Sequence, residues 1–169
     1  MPGITNYPLA PAAGFAGQLA DEGPRRIASA INRTGVAIPF GIAVKKGTND
    51  DDAVYLADTG DDLAGIVVHR HDVNTIGSTG WASDAGIPVD DRFDLLEQGV
   101  VNVKVEEAVV QGDNAFVRFD AGAGGTQLGA WRKSADTASA RAVVGAYFKR
   151  SGAAGSIVPL YFDAFVANG

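Results

Sequence analysis

The chain has no cysteine and only two histidines in 169 residues. Without thiols there is no disulfide, no thiol nucleophile and no Cys-based metal site. An excess of positive charge is missing too. The formal charge is −6, whereas duplex nucleic acid is held by clustered Lys and Arg that neutralise phosphates. No apolar run approaches the roughly 20 residues that a membrane-spanning helix needs. There is no G-x-S-x-G, and the glycine-rich run "GAGG" at 122–125 is not followed by Lys-Ser/Thr or by a helical pattern, so it is no phosphate loop.

What remains describes a folded body. Apolar residues make up 46% and charged residues 20%, a balance that supports one domain with a real core. Acidity keeps such a body soluble at high concentration. The start, "MPGITNYPLAPAAGFAGQLADEG", has no charged side chain before Asp21. It lacks the basic opening of a signal peptide, and Pro8, Pro11, Gly14 and Gly17 interrupt any apolar region. The expectation is a soluble, unprocessed product made in the cytoplasm. These residues form either a solvated tail or an arm that orders against a neighbour through Tyr7, Leu9, Phe15 and Leu19. The next stretch, "GPRRIASAINRTG" (23–35), fits one helical turn or an extended segment, and extended is the preferred reading.

From Gly35 onward the signal is β. "VAIPFGIAV" (36–44), "AVYLA" (53–57), "LAGIVVHR" (63–70), "ARAVVGAYFKR" (140–150) and "SIVPLYFDAF" (156–165) are separated by turn-rich segments. Val101, Val103 and Val105 alternate with Asn102, Lys104 and Glu106, as on a half-buried strand. Ala115, Val117 and Phe119 continue the pattern after Gly112-Asp113, which reads as a type II′ hairpin turn. Val103, Val105, Val117 and Phe119 are therefore expected to face inward on paired strands, with Lys104 outside. Short strands with Gly and Asp punctuation predict an all-β fold: one small β-barrel or jelly-roll-like sandwich, with an extended N-terminal arm and two long loops. The loops are 71–99 and 120–140. Each holds a tryptophan, Trp81 and Trp131, that serves as an interface anchor or folds back as a cap.

Three clusters invite a chemical reading. On a strand, His69 and His71 share a face and can reach one metal, but the chain has no third His, and the next Glu is Glu97. The acidic run "NDDDAVYLADTGDD" (49–62) fails as an EF-hand because Ala53 and Val54 fall where a ligand and the glycine belong. Glu106 and Glu107 point to opposite sides of a strand end, poor geometry for cooperating carboxylates. No catalytic residue, metal ligand or cofactor follows from these patterns. A cupin-like metal enzyme centred on His69 and His71 stays as one alternative. A carbohydrate-binding β-sandwich using Trp81 and Trp131 is another.

Five stretches in order carry a resemblance: "FAGQLADEGPRRIASAIN", "IPFGIAV", "LAGIVV", "VNVKVEEAVVQGDNAFV" and "GAYFKRSGAAGSIVPLYF". Together, over roughly 15–162, the chain resembles the structural cement, or head decoration, proteins of tailed bacteriophages. The resemblance implies a non-enzymatic protein on the outer surface of the virion capsid that bridges neighbouring major capsid proteins. A bridging protein is also expected to self-associate, since closed symmetric oligomers are the common solution, with a homotrimer placed ahead of a homodimer. Charge and hydropathy give no reason to expect a nucleic-acid or membrane partner. The arm is then expected at 1–35 and the barrel body at 36–169. Expected contact residues are Tyr7, Leu9, Phe15, Gln18, Leu19, Trp81 and Trp131.

Overall fold

The computed structural model describes residues 14–21, 23–70, 86–121 and 127–168. Eleven strands and one short helix occur among them. They are β1 (Arg26–Asn32), β2 (Ile38–Pro39), β3 (Ala43–Lys46), β4 (Asp52–Val54), β5 (Leu63–Val67) and β6 (Gly86–Ile87), then β7 (Arg92–Lys104), β8 (Asn114–Arg118), β9 (Trp131–Arg132), β10 (Ala140–Phe148), β11 (Ile157–Asp163) and α1 (Ala164–Ala167). The expected all-β barrel is what forms.

The organising strand is β7. Its first half pairs with β5 on one edge and β1 on the other, and β1 continues through β4 and β3 back to β5. The ring β1-β4-β3-β5-β7 is thus a closed five-stranded barrel, with β1 and β4 parallel and the other neighbours antiparallel. Closure leaves no edge open to stray pairing. Inside sit Ala30, Val44, Ala53, Val67, Phe93 and Leu95, with Ile38 and Ile87 of the small β2–β6 sheet packed on them. Asn32 ties that small sheet to the barrel end. Its buried amide donates to the carbonyls of Val36, Ile87 and Pro88, and its oxygen accepts from Thr34.

The second half of β7 carries the rest of the same nine-stranded sheet, β7-β11-β10-β8-β9, which forms a second sheet segment. That segment curls until β9 touches the end of β7 through a single bridge, Val105 to Trp131. Its interior holds Val101, Val103, Val117, Phe148, Leu160 and Phe162 around Trp131, which is 0% exposed. The Trp131 indole N–H donates to the Gly41 carbonyl at 3.0 Å, and its ring meets Phe162 edge-on. Val105 is buried as expected, while Phe119 is only half-buried against this core.

How one strand serves two cores follows from one extra residue. Arg26 faces Gln98, but Ile27 faces Leu96, so Glu97 bulges out of the ladder. A bulge of one residue exchanges the faces of everything beyond it. Phe93 and Leu95 therefore enter the first core, while Val101 and Val103 enter the second beside Leu96.

Three expectations are corrected here. The segment 71–99 is not loop throughout, because β6 and half of β7 lie in it; the bulge had broken the alternation that marks a strand. Residues 101–105 and 114–118 do not form a hairpin with each other, since β7 takes β11 and β8 takes β10 and β9. The connecting turn runs from Val110 to Asp113, with Gly112 at its third position and φ +90°. That is the place for positive φ in a type II turn, not a type II′ turn. Finally, the boundary expected at residue 35 does not divide arm from body, because β1 is a wall of the first barrel.

Candidate functional site

Of the expected contact residues, Tyr7, Leu9 and Trp81 lie outside the described residues, as does His71. Phe15, Gln18 and Leu19 lie together on one segment. Residues 17–20 run antiparallel to β7 where β5 and β1 no longer cover it, and Leu19 bridges to Val101. The Gly17 N–H donates to the Asn102 carbonyl and the Ala20 N–H to the Val100 carbonyl. The Asn102 N–H donates to the Gln18 carbonyl, and the His69 N–H to the Gly17 carbonyl. This part of the expected arm therefore fills a strand edge of its own body.

The fit requires glycine. Gly17 has φ +81°, and a Cβ there would stand 2.8 Å from both the His69 nitrogen and the Phe40 Cβ. Gly41, φ +78°, approaches Gly17 as closely from the other side, with 2.9 Å from an added Cβ to the Gly17 nitrogen. The His69 ring is wedged between Phe15 and Phe40, with centroids 4.3 and 4.5 Å away. His69 is thus a packing residue that joins the segment to the barrel. Among the described residues, no group of three or more His, Cys, Asp or Glu is placed to hold a metal ion.

Trp131 departs from the expected surface role. It is the centre of the second core, so it presents no face to a partner or a sugar. The reading as a cap is the one realised. Sequence spacing could not have decided this, because an isolated Trp in a Gly-rich stretch carries no periodicity.

A charged cluster was missed altogether. Glu106 and Glu107, set aside as a carboxylate pair, turn onto two arginines. Arg118, 3% exposed, donates to Glu106 at 2.9 Å and to Asp136 at 2.5 Å. Arg132 reaches Glu106, Glu107 and Asp136. The Arg118 hydrogen bond holds the Asp136 carboxyl below its ordinary range, against some desolvation, with Arg132 adding to the effect. For Glu107, burial pushes upward but is outweighed by Ser134, the Lys133 N–H and Arg132. This cluster pins the turn at Asp136, Thr137 and Ala138, three successive non-glycine residues at positive φ. Its carboxylates are saturated by cations, an arrangement for holding loops in place.

In the first barrel the acidic run divides: Asp50, Asp51, Asp58 and Asp62 are exposed at its turns, while Asp52 is buried at the start of β4. Asp61 accepts from the Ala57 and Asp58 N–H groups and from Lys45 at 2.7 Å. Burial works against its ionisation, but these bonds prevail and lower its pKa. Beside the anchored segment, a groove of about 610 Å³ is lined by Ala16, Pro39, Phe40, Ile42, Val105 and Glu106, among others. Its acid, Glu106, is already committed to arginine.

On the outside of the second sheet, register places a continuous apolar row. Val100 faces Tyr161, and Tyr161 faces Tyr147, whose ring stacks on it at 5.1 Å. Phe165 and Val166 of α1 extend this row; Val166 lies over Gly145, and Arg26 stacks on Phe165 at 4.2 Å. Val144 and Phe165 are 63% and 62% exposed. Gln18 and Ala20 flank the row opposite Asn102 and Val100. Of the expected contacts, Gln18 is the one that borders this face.

A family profile described as structural cement protein (E217 gp24/Pam3 gp6) matches residues 4–163. Among solved structures, a chain from the capsid of Myoviridae phage XM1 is similar in fold, with a TM-score of 0.65 and 18% identity, covering 96% of this chain and 98% of that one. The N base of the head fiber gp8.5 in bacteriophage phi29 aligns at a TM-score of 0.49 and 12% identity, over 83% of this chain and 96% of that one, too weakly to bear on the fold. None of the curated proteins matches.

Proposed function

The chain belongs to the structural cement protein family, and from that premise we propose that it sits on the outside of a phage head and bridges neighbouring major capsid proteins. It does so as a rigid body without catalysis. The supporting observation is the anchored segment 14–21. Gly17 and Gly41 lock it into the sheet, so this segment is a fixed part of the body. The thirteen residues before it have uncharged side chains throughout and include Tyr7 and Leu9. An apolar arm on a rigid base reaches a neighbouring capsid subunit and gains contact area there, offset in part by the entropy of ordering it. Many such modest contacts across a shell resist internal load without any one of them being large.

Anchoring also moves the experiment. Deleting residues 1–20 would strip an edge from β7 and confound folding with attachment. Deleting 1–13 leaves the edge filled. The truncated chain is expected to keep its circular dichroism and melting temperature while occupancy of undecorated heads falls sharply at every concentration. Superimposable occupancy curves for truncated and full chains would sink the arm as the attachment element.

A further inference from the structure

The outer face of the second sheet segment is apolar and is used by neither core. Val144, Tyr147, Phe165 and Val166 are exposed there around half-buried Tyr161. A contiguous apolar patch of this kind on a folded chain marks a contact site. Tyr147 and Tyr161 stack on each other and Arg26 lies over Phe165, so the rings are held in place before any partner arrives. The patch is continuous with the segment that seats the arm. Asn102 alternates with buried Val101 and Val103, and so points to the same outer side as Val100 and Tyr161. A Cβ added to Gly14 would stand 2.7 Å from the Asn102 amide nitrogen, and the Ala20 N–H donates to the Val100 carbonyl. At the other end Arg25 lies beside Gly99, and Arg26 faces Gln98. Both arginines are exposed, and neither forms an ion pair among the described residues.

We propose that this face docks a major capsid subunit, through an apolar patch on that subunit bordered by carboxylates. The proposal rests on the reading of the chain as a head-attached protein, and it adds to the arm a second contact whose shape is fixed in advance. Preorganised aromatic side chains and a stacked arginine form the type of centre that dominates binding energy. Arg25 and Arg26 need acidic partners, and the first barrel of a second copy does not supply them. There Asp51 is already paired with Arg92, Asp52 and Asp90 with Arg33, and Asp61 with Lys45. The capsid subunit is the remaining chain in the attachment reading. Because the face adjoins the base of the arm, docking one makes the contact of the other intramolecular, and the two reinforce each other.

The test measures occupancy of undecorated heads by the full chain. Phe165→Ser with Val144→Ser removes two exposed side chains and should move half-occupancy to at least about tenfold higher concentration, with circular dichroism and melting temperature unchanged. Arg25→Glu with Arg26→Glu should weaken occupancy too, and its difference from wild type should shrink as salt screens the rim. Val36→Ser removes an apolar side chain of similar exposure from the loop before β2 and should match the wild type. An equal loss there overturns the proposal. Because the chain has no cysteine, Ala142→Cys carries a single photo-crosslinking label beside Val144. On heads it should join the major capsid protein, a result that stands even where the serine variants fold poorly. Cross-linking to a second copy of the chain instead overturns the proposal. Face variants that fill heads as the wild type does overturn it alone, leaving attachment by the arm intact. A wild-type chain that leaves heads bare overturns the attachment reading and this proposal with it.

Discussion

The two barrels are closed in different ways, and the difference shows what each can tolerate. The first is a complete ring in which every strand has two partners, and side chains such as Asn32 and Asp61 finish its ends by bonding backbone groups. The second is a curled sheet joined by one bridge at Val105 and Trp131. Its closure rests on a plug, Trp131, and on the arginine cluster behind it. Ladder hydrogen bonds spread their load over many residues, whereas a plug concentrates it in one. The first barrel should therefore resist single substitutions at its rim better than the second.

The sharpest way to break this contrast is to remove the plug. Trp131→Ala should cost about 3–5 kcal/mol, the usual range for a buried Trp or Phe. Phe93→Ala, its counterpart in the first core, falls under the same rule. Both cores lean on β7, so calorimetry of either variant should show one lowered transition. Two separated transitions for Trp131→Ala would mean that the barrels unfold independently and that β7 does not couple them.

A smaller effect separates backbone strain from steric conflict. Gly17 and Gly112 both have positive φ, but an added Cβ at Gly112 meets nothing within 4 Å. Gly112→Ala should cost only the strain of a left-handed residue, about 1–2 kcal/mol. Gly17→Ala adds a clash with His69 and Phe40 and should cost more in urea unfolding. Equal costs would show that residues 17–20 are not seated on β7.

The mildest test is acid. Asp61 in the first barrel and Asp136 in the second both have lowered pKa values in the folded chain. The unfolded chain then binds more protons than the folded one as pH falls below the ordinary carboxylate value near about 4. Their contribution is fully present above that value and is lost as pH drops through the folded ones. Asp61→Asn and Asp136→Asn should each flatten the fall of stability with acid and lower stability at neutral pH. A variant whose acid profile matches the wild type would remove its carboxylate from this account.

Much of the fold was legible because β structure writes itself in a period of two. The alternation at 101–105 placed Val103 and Val105 inside and left Lys104 exposed. The anchors Phe15 and Leu19 were visible as apolar residues in a segment with no other use for them. Which body they anchor to was not visible, because pairing to the edge of β7 is a contact over some eighty residues of sequence. The arginine cluster escaped for the same reason: Glu106, Arg118 and Asp136 are neighbours only once β7, β8 and the turn after β9 are stacked.

The chain's own residues thus determined an all-β body, its strand faces and its lack of thiol chemistry. These follow from composition and from local alternation, which a strand imposes on neighbouring residues. Tertiary structure alone decided the partners of β7, the exchange of faces at Glu97 and the burial of Trp131. Each of these depends on pairing or packing between distant segments, and a one-residue change of register is enough to reverse it.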